Sequence, residues 1–64
     1  MKVYDLLVLL RTTEYVEIRE DNTFLCVTRS DSKMIDYFIA REVQDWFIDR
    51  CDQSHRLVIN IKGQ

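Results

Sequence analysis

Cys51, Asp52 and His55 bring a thiol, a carboxylate and an imidazole into one short stretch. A nucleophilic thiol needs a base within hydrogen-bond reach and a third group to orient that base. The stretch is polar and turn-like with no apolar segment to wall a pocket, so an incidental thiol in a loop explains it more simply. A second cluster is acidic: Glu14, Glu17, Glu20 and Asp21. Carboxylates converging on Mg²⁺ could cleave a phosphodiester, and Glu14 and Asp21 are then the least implausible ligands. A solvated strand face and turn accounts for the same acids. His55 is the only histidine, and Cys26 and Cys51 form no CxxC pair. A tetrahedral zinc site would therefore lack ligands. The only glycine is Gly63, so no glycine-rich loop can cradle a phosphate. These residues favour neither an enzyme nor a cofactor.

A third set suits binding rather than catalysis. Period-two spacing puts Tyr15, Glu17 and Arg19 on one face of a strand, and Arg56, Val58, Asn60 and Lys62 on one face of another. Trp46 joins them if its own segment is a strand. Aromatic and basic residues on one sheet face can stack bases and hold a phosphate backbone. The face expected to meet nucleic acid or a protein partner is Tyr15, Arg19, Trp46, Arg56, Asn60 and Lys62.

Those side chains must be positioned by very little chain. The sequence has 64 residues, enough for one domain spanning 1–64. A domain this short buries only about 60% of the surface its unfolded chain exposes, and usually needs a disulfide, a metal or a partner subunit. With the first two disfavoured, self-association is the expected support. The net charge of −2 is spread along the chain without a basic stripe, so composition is neutral between a protein and a nucleic-acid partner. The apolar run Leu6–Leu10 is far too short to span a bilayer and does not read as a signal peptide. A reduced, cytoplasmic protein without a membrane partner is expected.

Val3, Leu6, Leu7 and Leu10 recur at one-sided helical spacing and predict a helix over 2–11. Val16 and Ile18 alternate with polar neighbours, Asp21-Asn22 offers a tight turn, and 24–28 is β-rich. A hairpin over 14–29 follows. Ser30-Asp31-Ser32 supplies an N-cap for a second helix carrying Met34, Ile35, Phe38 and Ile39. Val43, Trp46 and Phe47 continue that period, so spacing alone favours one helix over 32–51. The competing reading ends the helix near Ala40 and makes 42–49 a strand. Leu57, Ile59 and Ile61 mark a closing strand over 56–62.

Val3-Tyr4-Asp5-Leu6-Leu7, Val16-Glu17-Ile18, Arg41-Glu42-Val43 and Leu57-Val58-Ile59-Asn60-Ile61 together resemble a loose group of short proteins. These are encoded by prophages and other mobile elements of gut Firmicutes. The wider group includes small anti-CRISPR proteins with a curved four-stranded, PC4-like sheet. The resemblance implies that the segment opening at Arg41-Glu42-Val43 is a strand paired with the closing one, 42–49 with 56–62. The expected fold is then α+β, αββαββ, with a four-stranded antiparallel sheet covered by helices on one face. The alternative remains αββαβ with one long second helix. The resemblance also implies a non-enzymatic interaction protein whose target is a host defence nuclease such as a CRISPR effector. An oligomeric single-strand-binding protein and a weak metal-dependent nuclease are the alternatives. Met34 with the aromatic Tyr37, Phe38, Trp46 and Phe47 forms a dense group, and any surplus outside the core would mark an interface.

Overall fold

The computed structural model describes residues 1–10, 15–51 and 54–63. Helix α1 covers Val3–Leu10. Val3 and Leu6 point into the core and Leu7 packs beside it, as the spacing demands. The Asp5 carboxylate accepts the Lys2 backbone N–H at 3.0 Å, an acid placed where the helix dipole favours one.

Strands β1 (Tyr15–Glu20) and β2 (Thr23–Arg29) form the expected hairpin. Asp21 and Asn22 both have positive φ, 50° and 69°, as a two-residue hairpin loop with right-handed twist requires. Strands β3 (Val43–Cys51) and β4 (Ser54–Ile61) form a second hairpin. This overturns the long helix over 32–51 and supports the strand reading of 42–49.

The second helix is shorter and tighter than expected. Only a 3-10 turn, Lys33–Tyr37, forms. Ser32 caps it, its Oγ accepting the Met34 N–H at 3.2 Å. The backbone then continues in i→i+3 steps, Ile35 N to Ser32 O, Phe38 N to Ile35 O and Arg41 N to Phe38 O. The cause is tertiary. Carbonyls of Ile39 and Arg41 are taken by the N–H groups of Tyr4 and Val3, and the Arg41 guanidinium bonds the Glu20 carboxylate and the Lys62 carbonyl. Those contacts hold 39–41 out of a continuing helix. Among the described residues the result is one helix, one 3-10 turn and four strands.

The sheet is mixed, not antiparallel as expected. Its strand order is β2-β1-β4-β3, with β1 and β4 parallel at the centre and an antiparallel hairpin on each side. Residues 30–42 carry the chain from the β2 edge to the opposite edge. The second hairpin therefore brings β4 back beside β1 in the same direction, which only a crossover allows.

The core lies on one face. Val16 and Ile18 of β1 and Leu57, Ile59 and Ile61 of β4 meet Val3 and Leu6 of α1 and Ile35 of the 3-10 turn. Direct pairings Val16–Leu57 and Ile18–Ile59 align this face. Among the described residues, no helix is long and apolar enough to cross a membrane.

Candidate functional site

The face away from α1 is the one on which Tyr15, Arg19, Arg56 and Asn60 were expected to meet. Paired residues share a face, so the register assigns the set. Tyr15 lies opposite Arg56, Glu17 opposite Val58, and Arg19 opposite Asn60. Beyond β4, Phe47 lies opposite Val58, and Asp45 and Asp49 opposite Asn60 and Arg56. On the other side, Val27 faces Glu17 and Phe24 faces Arg19.

At the centre is a buried carboxylate. Glu17 is only 5% exposed, although α1 and the 3-10 turn both pack on the opposite side. Arg19 Nε donates to one of its oxygens, and Arg56 Nη1 donates to the other at 3.0 Å. Burial pushes the Glu17 carboxyl up, but the hydrogen bonds and charges of Arg19 and Arg56 outweigh it and hold the group below its ordinary value. The Arg19 guanidinium also lies 5.9 Å from the centroid of the Phe47 ring, within cation–π range. Val58, direct neighbour of both Glu17 and Phe47, is buried and separate from the main core. The face thus has a small packed centre of its own, rimmed by exposed Tyr15, Phe24 and Phe47.

Three expected members do different work. Trp46 pairs with Ile59, so it lies on the α1 side beyond the helix cover, and Phe47 takes its place here. Asn60 is buried. Its Oδ1 accepts the Asn22 N–H at 2.9 Å, and its Nδ2 donates to Asn22 Oδ1 at 3.1 Å. That amide locks the β1–β2 turn, and its burial, at 2% exposed, keeps it from a ligand. Lys62 lies just past β4, where its N–H bonds Glu42 O. Glu17 and Val58 form the centre and Phe47 part of its rim, and sequence parity missed Phe47 because neighbouring strands do not declare their relative register.

The other chemical clusters do not assemble among the described residues. Glu14 and Asp52 lie outside them, as does the Cys51 side chain. Asp21 Oδ1 accepts the Gly63 N–H. Among the described residues, no three His, Cys, Asp or Glu side chains group as metal ligands would. A shallow apolar depression of about 380 Å³ lies where Lys2, Tyr4 and Asp5 meet Ile39 and Ala40. Its only ionic groups are Lys2 and Asp5, a poor basis for catalysis.

Among the described residues, this face groups aromatic rings around a paired carboxylate. Its two guanidiniums, Arg19 and Arg56, are both engaged by Glu17, and Asp45 and Asp49 add two further carboxylates. No family model, curated protein or solved structure matches the chain.

Proposed function

We propose that this chain is a small non-enzymatic interaction protein of a phage or mobile element, which associates with itself and acts by binding a protein target. One observation carries the binding part. Among the described residues, twelve large apolar side chains are exposed, against nine apolar residues in the buried core. Scattered exposed apolar residues are ordinary. This excess is not, and two elements carry half of it: Tyr4, Val8 and Leu9 on α1, and Trp46, Phe47 and Ile48 in succession on β3. Aromatic residues of this kind dominate protein interfaces. The sequence resemblance supports a host defence nuclease, such as a CRISPR effector, as the target.

The test adds the purified chain to plasmid cleavage by guide-loaded CRISPR nucleases, with plasmid and chain alone as the control. The expected result is protection from cleavage without a shift of the plasmid itself. Undiminished cleavage across the effector classes would remove the nuclease target. A plasmid shift that weakens steeply with salt would favour the second reading, a single-strand platform formed by Tyr15, Phe47, Arg19 and Arg56. That reading rests on the aromatic and basic residues sharing one face. It has less support because Glu17 already engages both arginines.

A further inference from the structure

The sheet has two edges, and they are not equivalent. On β2 the ladder to β1 is interrupted by a register shift that leaves Leu25 unpaired, Cys26 and Val27 are half-buried, and the 3-10 turn packs alongside. Bulges and covering segments are the usual protection of an edge. On β3 the register shift lies at the start, between Val43 and Asp45, and pairing from Trp46 onward is regular. Residues 44–50 are exposed throughout. Trp46 and Ile48 face the α1 side with Arg50, and Phe47 faces the other between Asp45 and Asp49, so this open edge presents large apolar side chains on both faces among a few charges. It carries no proline or glycine.

We propose that β3 is the seam of a homodimer, pairing antiparallel with β3 of a second copy about Ile48. The inference rests on the self-association in the proposed function and names the surface responsible. A twofold axis normal to the sheet keeps the α1 sides together, so residues of β3 pair only with residues of their own face. Three such registers fall near the strand's middle. Centring on Phe47 sets Asp45 directly against Asp49 of the second copy, twice, and like charges opposite one another destabilise a ladder. Centring on Trp46 runs the pairing back across the irregularity between Val43 and Asp45. Centring on Ile48 uses the regular part, pairs Ile48 with Ile48 of the second copy, and sets Arg50 beside Trp46 of the second copy. Arg50 makes no ion pair among the described residues, and a guanidinium against an indole is a favourable cross-strand contact.

The experiment uses the full chain with Cys26→Ala and Cys51→Ser, so that no native thiol reacts. Molecular mass is followed by light scattering over a concentration series, and single cysteines are introduced as Ile48→Cys or Trp46→Cys and oxidised. A dimer mass, with Ile48→Cys linking efficiently and Trp46→Cys poorly, is the expected result. Ile48→Lys should abolish the dimer while leaving the circular dichroism unchanged, and the crosslinking result stands even if that variant unfolds. A dimer mass without an Ile48→Cys crosslink would overturn the seam and leave self-association standing. A monomer at every concentration would overturn both.

Discussion

Asn60 is the most deeply buried polar residue among the described residues. It is 2% exposed, and its amide satisfies both a backbone N–H and the side-chain carbonyl of Asn22. Asn60→Ala leaves that turn N–H to water, and the expected cost is about 0.5–1.5 kcal/mol, read as a lower urea midpoint with an unchanged m-value. Glu17 gives a different signature. Its folded-state pKa is lowered by Arg19 and Arg56 against the opposing effect of burial. The stability it contributes is complete above the ordinary value of 4.5 and is lost as pH falls through the lowered folded value. Urea midpoints should therefore fall as the solution is acidified below that ordinary value. Glu17→Gln should start lower at neutral pH and show a shallower acid slope, and an identical slope would locate the acid sensitivity elsewhere. Both residues were noticed in the sequence as members of a polar strand face. Their structural roles were not legible there, because Asn60 meets Asn22 from 38 positions away along the chain and no local pattern records such a pairing.

Elements with one strong period were read well. The spacing of Val3, Leu6 and Leu7 placed α1, and Asp21-Asn22 placed the first turn, because each signal is local and chemically specific. The segment 43–51 was ambiguous for a physical reason: Val43, Trp46 and Phe47 fit a helical stripe, while the strand they form is exposed on both faces and never had to alternate. Burial normally imposes the period-two pattern. An edge strand free of that demand reads as something else. The mixed sheet was missed for a related reason, since two hairpins can dock in more than one order and the choice depends on which edge the crossover at 30–42 reaches. The same ambiguity put Trp46 on the wrong face. Its position beside Ile59 depends on register with β4, and parity within one strand cannot supply that.

At the scale of the molecule, the accessible surface of 4630 Å² is close to the roughly 4,300 Å² expected for a monomer of this mass. The apolar exposure thus reflects which residues lie outside, not a loosely packed chain. A domain with so small a core gains apparent stability from anything that binds only the folded form. The thermal midpoint should rise with protein concentration for the unaltered chain and stay flat for Ile48→Lys, as differential scanning fluorimetry would show. A flat midpoint for both would mean the chain folds without help from a second copy. The parallel β1–β4 pair carries one more consequence, and it concerns the order of events during synthesis. Tyr15 must wait for Arg56 and Ile18 for Ile59, so the central rungs of the sheet join stretches about forty residues apart. While β4 is still inside the ribosome, β1 has only β2 beside it and offers a bare inner edge next to Val16 and Ile18. Commitment to the fold comes late, at the loop-closure pace of non-local pairing. Until then the nascent chain holds α1 and the first hairpin without their central partner strand, open to the wrong partner.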